Sequence, residues 1–266
     1  MIKVIVLGAV GRMGSTILKL VDEDPELMLY GAIEKEDSPF IGESAERFGG
    51  TKGVKITSSL REVAEKDTVI VDFTHIDATR ENIKIAVEKG SPMVIGTTGF
   101  SSEETQKIAE LAKKSFPCIL SPNMSLGVNV LFKLVYETAK LLTDDYNVEI
   151  VEIHHNKKKD APSGTAVKLG QVVAEAFGWS YDETAVYERK GIVGERKKKE
   201  IGMQTLRAGD VVGEHTVIFG GMGERIELTH RAHSRENFAR GAIRAVKWIH
   251  NKENGFYTMK DVLGID

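Results

Sequence analysis

Lys3-Val4-Ile5-Val6-Leu7-Gly8-Ala9-Val10-Gly11-Arg12-Met13-Gly14 is the stretch on which the fold turns. A run of strand-forming residues leads into glycines at every third position, and Ile17, Leu18, Leu20 and Val21 then recur with helical period until Pro25 closes the run. Strand, glycine turn and helix in that order put unpaired N–H groups and the positive end of a helix dipole at the turn, where glycines let a pyrophosphate approach. The spacing G-x-x-G-x-x-G departs from the commoner G-x-G-x-x-G and is a weak signal alone. Context strengthens it, because a second strand, Leu27-Met28-Leu29-Tyr30-Gly31-Ala32-Ile33, ends in Glu34, twenty residues after Gly14, where an acid can hold an adenosine ribose. Gly8, Ala9, Val10, Gly11, Arg12, Met13 and Glu34 are thus expected to bind a dinucleotide. The competing reading is a bare βαβ core with an accidental glycine turn.

The same pattern continues outward. Residues 68–74 form an apolar run with the character of a buried parallel strand, and a helix is expected from about Asp77 to Lys89. Pro92-Met93-Val94-Ile95 ends in Gly96-Thr97-Thr98-Gly99, and Ser101-Ser102-Glu103-Glu104 caps the next helix. Ile119-Leu120 ends in Ser121-Pro122-Asn123-Met124. Ligands of a doubly wound sheet bind beyond the carboxyl ends of its strands, so these exits, Gly96, Thr97, Thr98, Ser121, Pro122, Asn123 and Met124, should ring the cofactor. Taken singly, they also read as ordinary turns.

From Gly127 the pattern changes. A long amphipathic helix runs through Leu131, Leu134, Val135, Ala139 and Leu142 to a β-rich run, residues 148–153, and three further strands are expected at 200–207, 215–219 and 225–232. Their alternation suggests a sheet with one face on helices and the other open to a partner or ligand. A helix from about Arg235 to Ile249 and a tail containing Tyr257 and Val262 return to the first domain. The fold class is therefore α/β: a Rossmann-type dinucleotide-binding domain at residues 1–126, completed by 236–266, and a second α+β domain on a mixed, open sheet at 127–235.

His154-His155-Asn156-Lys157-Lys158-Lys159-Asp160-Ala161-Pro162-Ser163-Gly164-Thr165 follows the β-rich run. The histidines leave a strand end on opposite faces, and Ser163-Gly164-Thr165 opens a helix marked by Ala166, Leu169, Val172 and Val173. One loop thus joins two imidazoles, three ammonium groups and an anion-binding helix end, which suits a carboxylate substrate that needs a proton. A solvated basic turn with an ordinary N-cap is the blander account. His75, His215, His230 and His233 are expected in supporting positions, and no cluster has metal-ligand spacing.

Composition narrows the class. A chain of 266 residues with net charge −3 and interspersed signs argues against a nucleic-acid surface, and the basic run 195–200 reads as a solvated loop or hairpin. The single cysteine, Cys118, fits a reducing compartment as a core residue. No apolar run approaches the roughly 20 residues of a membrane span, so a cytoplasmic protein is expected.

With both regions in view, the sequence closely resembles the 4-hydroxy-tetrahydrodipicolinate reductase (dihydrodipicolinate reductase) family along nearly its whole length. The resemblance rests on residues 8–14, Asp72-Phe73-Thr74-His75, Gly96-Thr97-Thr98-Gly99, Asn123-Met124-Ser125, the histidine loop, Arg207-Ala208-Gly209-Asp210, Gly213-Glu214-His215-Thr216 and Ser234-Arg235. It implies reduction of 4-hydroxy-tetrahydrodipicolinate with loss of water by NADH or NADPH, in lysine and diaminopimelate biosynthesis, by a homotetramer built through the second domain. His154 then resembles the acid/base histidine and Lys158 the proton-donating lysine. His155, Ser163, Gly164, Thr165 and Arg235 match substrate-binding positions, and Phe73 joins the cofactor residues. Ile76, Met203 and Lys157 depart from the family's common residues without touching a matched catalytic position. For the cofactor, Glu34 favours NADH, while Lys35, with Lys3 or Arg12 nearby, offers charge to the 2′-phosphate of NADPH, so both are expected to serve. The rivals are another two-domain dehydrogenase and a non-catalytic NAD(H)-sensing regulator, which would need no His-His-x-x-Lys loop.

Overall fold

The computed structural model describes residues 1–265. The chain forms two compact units, one of residues 1–126 with 236–266 and one of residues 127–235.

The first unit runs β1 (Ile2–Leu7), α1 (Arg12–Glu23), β2 (Leu27–Ile33), β3 (Ile56–Thr57), α2 (Leu60–Val63), β4 (Thr68–Asp72), α3 (Ile76–Lys89), β5 (Met93–Ile95), α4 (Ser102–Ser115) and β6 (Pro117–Leu120). Its strands make one parallel sheet in the order β12-β6-β5-β4-β1-β2-β3, where β12 (Gly255–Tyr257) arrives from the far end of the chain. Strand residues alternate between two cores. Val4, Val6, Val69, Val71, Val94 and Ile119 face one side with the apolar stripe of α1. Ile5, Leu7, Ile70, Met93, Ile95 and Cys118 face the other with Ile83, Ile108 and Ala112 of α3 and α4. Burial on both faces explains why these strands read as unbroken apolar runs. The capping box at Ser101 and Glu104 is formed as its sequence predicts.

The second unit runs α5 (Leu126–Leu142, whose first residue belongs to the first unit), β7 (Asn147–His154), α6 (Gly164–Phe177), α7 (Tyr181–Thr184), β8 (Ala185–Val186), β9 (Ile201–Arg207), β10 (Gly213–Gly220) and β11 (Arg225–Ala232). The sheet order is β11-β10-β7-β9-β8. β10 pairs antiparallel with β7 and β11, while β9 runs parallel to β7 and β8, so the sheet is mixed. Leu131, Val135 and Ala139 of α5 and Leu169 and Val173 of α6 pack on Val148, Ile150, Ile201, Met203, Val217 and Phe219. The opposite face carries Val151, Ile153, Leu206, Thr216 and Ile218.

One local expectation changes. The basic run 195–200 is not uniformly solvated, because Arg196 inserts its guanidinium against β7, donating to Glu149 at 3.1 Å, Asn147 at 2.8 Å and the Val148 carbonyl at 3.0 Å. Glu149 also binds Arg189 in a bidentate pair at 2.9 Å, so two arginines answer one carboxylate across the strand. A charge run read in one dimension gives no sign that one of its members has a strand-borne partner.

The chain resumes the first unit with α8 (Glu236–Ile249) and ends on α9 (Met259–Leu263). Ala239, Ala242, Ala245, Val246 and Ile249 of α8, with Met259 and Val262 of α9, complete the core on the α1 side.

Candidate functional site

At the carboxyl end of β1, Gly8 adopts φ +64° and turns the chain, and the Ala9 N–H donates to the Ile33 carbonyl at 3.1 Å. Gly14 is fixed by close approach: a Cβ there would lie 2.0 Å from the Gly8 carbonyl oxygen. The N-cap of α1 is Gly11, without a side-chain cap, and the first turn holds no acid. That end therefore keeps its backbone donors and positive dipole for an anion. Glu34 curls toward the turn, its Oε1 accepting the Val10 N–H at 3.0 Å. Arg12 is exposed and Met13 half-buried.

The other predicted cofactor residues lie at the ends of neighbouring strands. Phe73 follows β4, and its ring lies so close to Gly96, after β5, that a Cβ at Gly96 would overlap it. Thr97 is buried and bonded to Thr79 at 2.9 Å and to Asp72 at 3.3 Å, while Thr98 is exposed. After β6, Ser121 donates to the Asn123 carbonyl at 2.9 Å, Asn123 accepts the Ser125 N–H at 2.9 Å, Pro122 is exposed and Met124 is buried. All sit at the carboxyl edge of one parallel sheet, where such sheets bind ligands. Lys35 is exposed and ion-paired with Asp37 at 3.0 Å. Lys3 is corrected: it lies at the amino end of β1, paired with Glu65 and Asp67 at 3.3 and 2.9 Å, because the strand separates it from the turn by its own length.

In the second unit, His154 ends β7 with its Nδ1 2.5 Å from Glu152 Oε2. Glu152 is 1 % exposed, two residues earlier on the same strand face. Arg207 clamps it in a bidentate pair at 2.9 and 3.0 Å, and the Ser163 N–H donates to it at 2.9 Å. Burial pushes the Glu152 carboxyl up, but the hydrogen bonds from His154, Arg207 and Ser163 outweigh it and bring it down to about 2. His215 packs edge-on to His154 with ring centroids 5.2 Å apart. Burial, and then the neighbouring His154, lower the His215 imidazole to about 3, so it stays neutral.

Ser163 caps α6, its hydroxyl accepting the Ala166 N–H at 3.2 Å and lying 3.0 Å from His215 Nε2. Its own donors thus face inward. Gly164 is exposed, and a Cβ there would meet nothing within 4 Å, which leaves the helix end open to a ligand. Thr165 is half-buried, and α6 has no acid in its first turn. Lys158 Nζ binds both oxygens of Asp160 at 2.8 and 2.9 Å, in a loop that contains a cis Ala161–Pro162 peptide. His155 turns away from His154, with Nε2 3.3 Å from Arg235 Nη2. His154, Ser163 and the backbone carbonyl of Asp160, which accepts from Arg207 at 2.7 Å, thus meet on the Glu152–Arg207 pair, while His155 and Arg235 form a second, exposed group. Among the described residues no set of three His, Cys, Asp or Glu side chains is gathered as a metal site requires.

Glu152, Arg207, Asp160 and Gly213, where a Cβ would lie 3.0 Å from His154 Nε2, were missed by sequence reasoning as site residues. Arg207 is 55 positions from Glu152 and reaches it through the parallel pairing of β9 with β7, which matches Arg207 to His154. Glu152 alone carried a signal, its two-residue offset from His154 on a strand.

The sequence profile described as "Dihydrodipicolinate reductase, N-terminus" matches residues 2–124, and that described as "Dihydrodipicolinate reductase, C-terminus" matches residues 127–263. A 4-hydroxy-tetrahydrodipicolinate reductase of Syntrophus aciditrophicus is 54% identical over 266 residues, covering 99% of both chains. One of Desulfotalea psychrophila is 53% identical over 267 residues, covering 100% of this chain and 99% of its own. Among solved structures, a dipicolinate-bound dihydrodipicolinate reductase from Paenisporosarcina sp. TG-14 shares the fold with TM-score 0.75 at 24% identity, over 97% of each chain. Matched along both units by these profiles and end to end by such relatives, the chain belongs to the dihydrodipicolinate reductase family.

Proposed function

We propose that the chain reduces 4-hydroxy-tetrahydrodipicolinate to tetrahydrodipicolinate, with uptake of one hydride and one proton and loss of one water, as a step of lysine and diaminopimelate biosynthesis. The observation that carries this reading is the His154–Lys158 loop ending on an open helix N-terminus, in a chain of this family. The fit of a nicotinamide dinucleotide rests on the uncapped α1 end and on the tight turn that Gly8, at φ +64°, and Gly14, packed against the Gly8 carbonyl, allow there. When bound, that cofactor supplies the hydride.

The chain's own residues do the rest. The turn at Gly8, Ala9, Val10, Gly11, Arg12 and Met13 takes the pyrophosphate, and Glu34 exchanges its Val10 contact for the ribose hydroxyls. Phe73, Gly96, Thr97, Thr98 and the segment from Ser121 to Met124 border the bound dinucleotide. Ser163 holds the α6 turn in place while Gly164 and Thr165 receive a substrate carboxylate, and His155 with Arg235 takes the other. A dicarboxylate ligand agrees with the Paenisporosarcina relative, whose described ligand is dipicolinate. Reduction of a conjugated imine leaves electron density that must be protonated. Lys158 Nζ carries a proton for it, and His154 exchanges protons through Nε2, its Nδ1 being committed to Glu152.

The division of labour follows the two units: residues 1–126 with 236–266 bind the cofactor, and 127–235 bind substrate and build a homotetramer. Support for assembly comes from the sheet face of Val151, Ile153 and Ile218, and from Leu206, which is 45% exposed. Sedimentation equilibrium is the check. NADH and NADPH both serve, within about tenfold in kcat/KM, since Glu34 disfavours the 2′-phosphate while Lys35, although paired with Asp37, offers it a positive charge. The thiol of Cys118 is buried, which suits a cytoplasmic location, and no helix of the described residues is long and apolar enough to cross a membrane.

The decisive experiment couples the purified protein to the synthase that makes the substrate and follows nicotinamide absorbance. Steady oxidation of the cofactor, inhibited competitively by pyridine-2,6-dicarboxylate, is expected. Absence of turnover with both cofactors would sink the reading.

A further inference from the structure

We propose that Glu152 is the positioning residue for His154: its carboxylate, clamped by Arg207 and by the Ser163 N–H, takes the Nδ1 proton of His154 in a hydrogen bond and keeps Nε2 as the nitrogen that exchanges protons. The proposal rests on the reading of His154 as the acid/base group. It adds the device that makes one ring nitrogen available.

Both carboxylate oxygens are fully used. Oε2 accepts from His154 Nδ1 at 2.5 Å and Arg207 Nη1 at 2.9 Å, while Oε1 accepts from Arg207 Nη2 at 3.0 Å and the Ser163 N–H at 2.9 Å. An ionised carboxylate is an acceptor only, so the hydrogen between Glu152 and His154 belongs to the imidazole. A histidine whose Nδ1 carries that hydrogen has Nε2 as its free base, and the anion steadies the imidazolium formed when Nε2 takes a proton. Glu152 cannot rotate to release the contact, because Arg207 is itself anchored through the Asp160 carbonyl at 2.7 Å and through the pairing of β9 with β7.

The remaining neighbours complete the setting. Gly213 on β10 gives the imidazole a flat seat, since a Cβ there would come within 3.0 Å of Nε2. His215, on the same strand, meets the ring edge-on and is kept neutral by burial, so it does not compete for the carboxylate as a cation. Lys158 faces Asp160 instead of Glu152. A buried Glu–Arg pair by itself is a poor source of stability and is often replaceable by apolar groups. Orientation of His154 gives this pair a purpose that stability does not.

The test uses Glu152→Gln, Glu152→Asp, His154→Gln and the double variant Glu152→Gln/His154→Gln in the full chain. Glu152→Gln should lower kcat about 10²-fold, leave cofactor KM within about threefold, and be partly rescued by Glu152→Asp. The double variant should be no slower than His154→Gln alone, because a group that acts only through His154 has nothing left to act on. An additional loss in the double variant, equal to that of Glu152→Gln in the wild-type background, would assign Glu152 a structural role and overturn the proposal. Nitrogen-15 spectra of histidine-labelled wild type give a readout that needs no turnover: a proton on Nδ1 of His154 is expected, and a neutral ring protonated on Nε2 overturns the idea even where Glu152→Gln does not fold. Full activity in Glu152→Gln with a slow His154→Gln removes the positioning role alone, whereas full activity in His154→Gln removes the acid/base reading beneath it.

Discussion

The glycine turn of the first unit and the Glu152 cluster of the second are built in opposite ways. The turn is made within seven consecutive residues, 8–14, and its chemistry is backbone: N–H groups, a dipole and main-chain atoms packed where side chains are missing. The cluster is made of side chains from β7, β9, β10, the histidine loop and the start of α6, with partners 52 and 55 positions apart. A backbone site tolerates no added atoms but has few groups to titrate. A side-chain site depends on paired groups from distant segments, and its charges are tied to pH.

The largest effect should come from removing a reacting group of the cluster. His154→Gln is expected to lower kcat about 10²–10⁴-fold, with cofactor affinity unchanged in a binding titration. Retention of near-wild-type kcat at saturation would erase the distinction between the two sites. Gly14→Ala should act the other way, on stability, because its Cβ would lie 2.0 Å from the Gly8 carbonyl oxygen. Such forced overpacking costs roughly 3 kcal/mol, readable as a lowered urea midpoint, and cofactor affinity should fall with it. Wild-type stability and affinity in this variant would mean that the glycines are not sterically required.

Acid sharpens the contrast next. His215 is held to about 3 against an ordinary 6.5, and Glu152 to about 2 against 4.5. In each case the unfolded chain takes up its proton first, so the stabilisation is complete above the unfolded value and is lost as pH falls through the window. The windows are 6.5 to 3 for His215 and 4.5 to 2 for Glu152. Each proton contributes a slope of about 1.4 kcal/mol per pH unit. Urea unfolding between pH 7 and pH 5 should therefore show falling stability, and His215→Gln should flatten that slope; a slope unchanged by the variant would remove His215 as its source. The smallest effect is expected at the edge of the cofactor turn. Lys35 and Asp37 are 72% and 76% exposed, and exposed pairs contribute little. Lys35→Ala should weaken NADPH by no more than about threefold, leaving NADH alone, with the difference shrinking in high salt. A larger drop, seen in KM for NADPH, would give that lysine a stronger hold on the 2′-phosphate than its ion pair suggests.

What could be read from the sequence follows the same line. The strand Leu27–Ile33, the Ser101–Glu104 capping box and the Ser163 cap of α6 all depend on neighbours within a few residues, and all are where local patterns put them. Glu149 and Glu152 look alike in the run before His154, yet one meets Arg189 and Arg196 and the other Arg207. Strand period assigns them to opposite faces without saying which face is buried or which arginine arrives there. That choice is made by the pairing of β9 with β7, a contact between segments that share no local pattern. Arg196 and Lys3 were misread for the same reason, since a charge's role depends on where the strand beside it begins and ends.

The return of the chain to the first unit also sets an order of assembly. Residues 127–235 form a continuous segment, so the second unit has all its strands as soon as β11 is made. The first unit must wait: its edge strand β12 and the alanine-rich face of α8 are translated only after the whole of the second unit. Until then Val69, Val71, Val94 and Ile119 lack the helix that packs on β4, β5 and β6, and a nascent chain halted near residue 235 leaves that apolar face uncovered although every strand of the second unit has been made. The unit whose strands are made first is thus the one that closes last.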